Sequence, residues 1–222
     1  MLATVSAASP SLNVLAGRRF TAASTWSASL SRVFDVSRKV LRRVSVEIAA
    51  GCLGPRAFLK GSVDDVGLNE HVIDDVLSNY PLQLESPFED TASIAGGLWS
   101  GRALFGPGFE DALAKLVFSA GTLDLPMHVH QYSDRFIIVA AGSGRFWWSE
   151  EGLDAFSGRC VESVKVCRGD MLVFTRGLMH TFSAPRENLF LLSFHSPEIA
   201  FTDPRQFTVP PTTWTPRMGL PH

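Results

Sequence analysis

From about residue 90 onward the helical period disappears, and short runs rich in Val, Ile and Phe alternate with Gly, Pro and acidic residues. The pattern predicts strands over 92–99, 112–119, 126–130, 134–141, 144–149, 160–167, 171–175, 180–184 and 189–196. Parallel strands need long crossovers between them, and this region has no helical segment to supply one. The expected fold class is therefore mainly β: a single antiparallel barrel or sandwich. The longest apolar run, Phe136 to Ala141, has six residues. A membrane-spanning helix needs roughly 20, so none is expected.

Two helices should precede the barrel. Val33, Val36, Val40, Leu41, Val44 and Ile48 recur at spacings of three, four and seven, with Arg38, Lys39, Arg42 and Arg43 between them. The cationic side is read as a solvated face, with DNA or an anionic membrane surface as the other reading. A second helix follows Asn69, which can cap it, with Leu68 and Ile73 as a hydrophobic staple and Val72, Val76 and Leu77 continuing the apolar side. Pro81 should stop it. The pair is expected to brace or cover the barrel.

Residues 1–34 are dominated by Ser, Ala and Thr, with Arg18, Arg19 and Arg32 as their charges. That composition fits an organelle transit peptide or a flexible extension. The expected organisation is thus a tail at 1–34, a helical subdomain at 35–89, a barrel at 90–200 and a C-terminal extension at 201–222. A cytoplasmic location is expected, or an organelle if the tail is a targeting segment.

With 20 Lys+Arg against 22 Asp+Glu, a net charge of −2 and a pI near 6.3, the chain has no basic excess for a run of phosphates. A small-molecule ligand is the expected partner, with neither nucleic acid nor membrane. The cysteines, Cys52, Cys160 and Cys167, have no C-x-x-C spacing. They are expected as reduced interior thiols, or with Cys160 and Cys167 bridged across a hairpin.

Three histidines carry the chemistry. His128 and His130 lie two apart on an expected strand, so both side chains share a face. Asp134 follows four residues later, and His180 arrives about fifty residues on, after a turn. Imidazole and carboxylate suit one divalent transition metal (Fe, Mn, Ni, Cu or Zn) and leave coordination positions open.

In these residues the chain resembles the cupin superfamily. The first motif reads Gly121…His128-Val129-His130-Gln131-Tyr132-Ser133-Asp134…Gly142, and the second reads Gly169-Asp170…Thr175-Arg176-Gly177-Leu178-Met179-His180. The resemblance implies a jelly-roll barrel over roughly 90–200, with His128, His130, Asp134 and His180 as metal ligands. Thr175 stands where the family has Pro. The stretch from Asp134 to Gly142 is one residue longer than the family's, so counting back from Gly142 puts Arg135 at the acid position, whereas counting from His130 puts Asp134 there. A bulge after Asp134 would reconcile the counts. Asp134 is the expected ligand, since a guanidinium cannot bind a metal; its other readings are a salt bridge with Arg135 or an Asx turn.

Phe136, Ile138 and Phe182 are expected to line the pocket, and His195 to line it or pack in the core. One ring of Trp147-Trp148 should face the barrel; the other should be covered by an N-terminal helix or by the second subunit of a homodimer. The resemblance implies a metal-binding protein, with a dioxygenase-like oxidoreductase acting on a small, partly apolar organic substrate as the leading class. Related isomerases and lyases share the barrel, and a ligand-binding regulator without turnover is the alternative.

Overall fold

The computed structural model describes residues 28–79, 99–105, 110–200 and 203–220. Most of the expected strand at 92–99, the stop at Pro81 and most of the expected tail lie outside these residues. The first helix, α1 (Ala28–Ala49), begins before the expected tail ends. Leu30, Val33 and Phe34 are buried on it, so 28–34 belongs to the packed structure. The second helix, α2 (Glu70–Asn79), follows its expected cap: Asn69 Oδ1 accepts the Val72 N–H at 3.1 Å, and Leu68 and Ile73 are buried together. The cations of α1 are partly engaged within the chain: Arg38 pairs with Asp111 at 2.6 Å, Arg43 with Glu47, and Arg32 donates to the Gly67 carbonyl.

The strands are β1 (Phe58–Ser62), β2 (Trp99–Phe105), β3 (Ala112–Phe118), β4 (His128–Val129), β5 (Asp134–Ala141), β6 (Ser143–Ser149), β7 (Glu162–Cys167), β8 (Asp170–Phe174), β9 (Met179–Ser183) and β10 (Leu189–Ser196). They form a large sheet in the order β1-β8-β5-β10-β3-β2 and a small one in the order β4-β9-β6-β7, with every pairing antiparallel. This is the expected mainly β architecture, a two-sheet jelly roll. Aromatic rings join the sheets across the interior: Phe146 to Phe174 at 5.2 Å, Phe118 to Phe182 at 5.4 Å, and Phe58 to Trp148 at 4.5 Å between ring centroids.

Successive residues of a strand face opposite sides, and β5 shows the consequence. Ile137 and Val139 join Phe146, Phe174 and Phe182 in the barrel core. Phe136, Ile138 and Ala140 instead pack outward with Leu192 and Phe194 against α1 and α2. The Phe34 ring meets Phe194 edge-on at 5.0 Å. Phe136 and Ile138 are therefore core residues under the helices and do not line the barrel, a correction that follows from strand parity. Phe182 lies in the barrel core.

Trp148 faces inward beside Phe58, while Trp147 faces out, donates its Nε1–H to Ser183 Oγ at 2.9 Å and packs on Trp214 at 5.5 Å. Its cover within the chain is thus the C-terminal segment rather than an N-terminal helix. That segment is tied to the barrel by two backbone hydrogen bonds of 2.9 Å between Val129 and Thr208, and by Met127 N–H to the Trp214 carbonyl at 2.8 Å. The three cysteines are exposed free thiols, so neither the interior placement nor the Cys160–Cys167 bridge is found. No helix among the described residues is long and apolar enough to cross a membrane.

Candidate metal centre

The small sheet assembles the histidines by register. His128 on β4 pairs directly with His180 on β9, which places both rings on one face, and His130 follows at the end of β4. The motif turns fix this meeting. Gly142 sits at φ 74° and Gly177 at φ 84°, left-handed conformations that glycine adopts without strain. A Cβ at Gly142 would lie 1.8 Å from the Asn188 carbonyl oxygen. The Gly177 N–H also donates to the His130 carbonyl at 2.9 Å, joining the second motif to the first. Thr175, in place of Pro, donates to the Pro55 carbonyl at 2.9 Å and accepts the Ala57 N–H at 3.0 Å, so hydrogen bonds restrain this turn.

The three imidazoles form the group of His, Cys, Asp and Glu side chains found among the described residues that could hold a metal ion, with one ligating atom from each lying within 4.8 Å of the others. Each ring is oriented by a backbone carbonyl: His128 Nδ1 contacts that of Pro126 at 3.0 Å, His180 Nδ1 that of Leu178 at 2.9 Å, and His130 Nδ1 that of Gln206. A carbonyl only accepts, so Nδ1 carries the proton in all three rings and Nε2 keeps its lone pair. Burial, reinforced by the Arg135 charge, holds the His128 pKa down at about 4 and pushes those of His130 and His180 well below the usual histidine range. At neutral pH the rings are neutral, the state a metal requires.

Asp134 is not part of this group. Its carboxylate accepts the Arg176 backbone N–H at 2.7 Å, Nε at 3.1 Å and an Nη at 2.9 Å. The expected irregularity lies well beyond Asp134, where Leu191 pairs with Val139 and Phe190 with Ala141 and Ala140 is the extra residue. The β5–β10 ladder runs unbroken from Asp134↔Ser196 to Val139↔Leu191, and its irregularity lies at the far end, by Phe190. Arg135 is the residue opposite Phe174 and His195, two positions before the inward-facing Ile137, so the count from Gly142 identifies the side chain at the interior position. The salt bridge made by Asp134 is with Arg176 rather than with Arg135.

Arg135 is buried, and donates to Ser133 Oγ, to Gln206 Oε1 at 3.3 Å and to the Asp134 carbonyl at 3.4 Å. Burial pulls its pKa down to about 9, which leaves it charged at neutral pH. His195 is buried on the same face of the large sheet, with Nε2 2.8 Å from Ser193 Oγ, and burial beside Arg135 holds it neutral. Gln206 and Phe207 were not expected near the site. Gln206 serves both His130 and Arg135, and the Phe207 ring lies 6.1 Å from that of His128. Their segment has no periodicity that could have announced them.

Residues 111–206 match the Cupin family model. No curated protein matches the chain. Similar solved structures include an oxalate oxidase (19% identity, TM-score 0.38, covering 46% of this chain and 52% of that one). Others are DMSP lyase DddQ from Ruegeria pomeroyi DSS-3 (16% identity, TM-score 0.37, 46% and 48% covered) and a cupin 2 conserved barrel domain protein from Rhodopseudomonas palustris (16%, 0.39, 50% and 66%). The chain spans about half the length of the first two. Both histidine motifs meet inside a two-sheet antiparallel barrel, and the segment that carries them, residues 111–206, is the one that matches the Cupin family model.

Proposed function

We propose that this cupin binds one divalent transition metal through His128, His130 and His180 and acts on a small, partly apolar organic molecule held beside it, with dioxygenase-like oxidation as the leading reaction class. The observation that carries the reading is the convergence of three neutral imidazoles whose Nδ1–H groups are all committed to backbone carbonyls. Orientation of this kind fixes the tautomer and presents Nε2 as the ligand atom. Three imidazoles suit Fe, Mn, Ni, Cu or Zn and would leave coordination positions open, where the ion would supply Lewis-acid or redox chemistry. Around them Phe146, Phe174 and Phe182 exclude water, and the Phe174 ring lies 4.3 Å from that of His180.

One observation favours the alternative, a ligand-binding or regulatory cupin without turnover. The inward position expected of a carboxylate holds Arg135, so among the described residues the site has three neutral imidazoles and no carboxylate grouped with them.

Elemental analysis of the purified protein tests the metal. One equivalent in the wild type, lost in His180→Ala and His128→Ala, is the expected result; full occupancy in both variants would refute the ligand set. Oxygen uptake by the Fe(II)-loaded protein over a panel of organic acids and neutral aromatics tests turnover. Uptake abolished by His130→Ala supports oxidation, whereas ligand-induced stabilisation without uptake or product supports the regulatory reading.

A further inference from the structure

The inward position of β5 sets an electrostatic problem that the described side chains leave open. Arg135 is 2% exposed, and its hydrogen-bond partners, Ser133 Oγ, Gln206 Oε1 and the Asp134 carbonyl, are neutral oxygens. None of the ion pairs among the described residues includes it. The nearest carboxylate in sequence, Asp134, is held by Arg176. A buried charge that lacks a counter-charge is costly. A divalent ion on the triad would add charge of the same sign.

Register places this guanidinium across the barrel from the triad. Arg135 shares its face of the large sheet with Phe174 on one side and His195 on the other, and Phe174 touches His180 of the small sheet. Ser193, hydrogen-bonded to His195, adds a neutral polar pair to the same wall. Ile137, Phe146 and Phe182 pack in the same barrel core.

We propose that the barrel takes a small organic carboxylate held between Arg135 and the metal on the histidine triad, its charge standing in for the acidic side chain that this chain lacks at position 135. The proposal rests on the metal-binding reading above. A guanidinium fork matches the two oxygens of a planar carboxylate, and the apolar walls suit a hydrocarbon remainder. Metal and anion should therefore bind cooperatively, and by linkage each tightens the other equally.

The test titrates Co(II) into chelator-treated full-length protein, alone and with benzoate, benzamide or inorganic phosphate. Benzoate should tighten Co(II) binding by about 5- to 150-fold, the usual range of coupling between sites; benzamide should do nothing, and phosphate less than benzoate. Arg135→Gln and Arg135→Met should bind Co(II) more tightly than wild type in the absence of anion and lose the benzoate response. Equal Co(II) affinity with and without benzoate overturns the proposal while leaving the metal reading intact, and a phosphate effect as large as that of benzoate overturns the assignment to carboxylates. The wild-type comparison decides the matter even where the variants fail to fold. Where wild type takes up no Co(II), the metal reading fails, and the melting temperature of the metal-free protein decides the anion site. A rise with benzoate but not benzamide, absent in Arg135→Gln, supports Arg135 as the anchor, and no rise overturns it.

Discussion

Acid should destabilise the metal-free protein through its buried imidazoles, and His128 allows the effect to be sized. In the unfolded chain His128 takes up a proton near its ordinary pKa of 6.5, while in the fold burial delays uptake to about 4. Between these values the unfolded state binds more protons, so stability falls as pH falls. Above 6.5 both states are neutral, and below about 4 both are protonated, so the loss is confined to that window. At about 1.4 kcal/mol per pH unit, it comes to about 3 kcal/mol. The perturbation is His128→Gln, whose amide can still donate to the Pro126 carbonyl but does not titrate. Urea unfolding of chelator-treated wild type and variant, followed by tryptophan fluorescence from about pH 7.5 to 4, gives the difference in stability at each pH. His130, His180 and His195 are also held neutral by burial and remain in both proteins, so their contribution largely cancels. Wild type should lose about 3 kcal/mol more than the variant between pH 6.5 and 4. Parallel stability curves would show that folded His128 takes up protons as readily as the unfolded chain, and the argument from burial would fall.

Asp134→Asn should leave metal content unchanged but lower stability by about 1–3 kcal/mol, because it weakens a charge-assisted hydrogen-bond set with Arg176; elemental analysis and denaturant unfolding read the two effects separately. Phe34→Ala should cost about 3–5 kcal/mol by leaving a cavity against Phe194, which would confirm by denaturant unfolding that the packed structure extends into 28–34. Trp214→Ala should cost a similar amount and raise the exposure of Trp147 to a fluorescence quencher.

Much of the fold was legible because its local signals agreed. Strands β3, β5 and β10 lie within a residue of the spans predicted from their β-branched and aromatic runs, and α2 begins after the Asn69 cap. The three histidines were legible for the same reason: a spacing of two on a strand fixes a shared face, and a glycine turn delivers the third. Strand β1 was missed because Lys60 and Gly61 interrupt its five residues, and it gains its place by pairing with the edge of β8. The choice between Asp134 and Arg135 was illegible for a different reason. Strand parity turns a one-residue change of register into a change of face, and the register of β5 is set by β8 and β10, far away in sequence.

Gln206 shows why a motif-bounded view of the site is incomplete. Its main-chain carbonyl fixes which nitrogen of His130 is free, and its side-chain oxygen accepts from Arg135, the group across the barrel. A single residue from outside the expected barrel, Gln206, thereby aligns a candidate ligand and holds the charge facing it. What keeps Gln206 there is the pairing of Thr208 with Val129, between the two motif histidines, and the packing of Trp214 on Trp147 further along. Neither contact leaves a periodic trace in a segment rich in Pro and Thr, since backbone pairing to a single bridge demands no side-chain pattern. The histidine motif thus supplies the nitrogen atoms, while their orientation and the charge opposite them depend on a segment whose composition reads as an appendage.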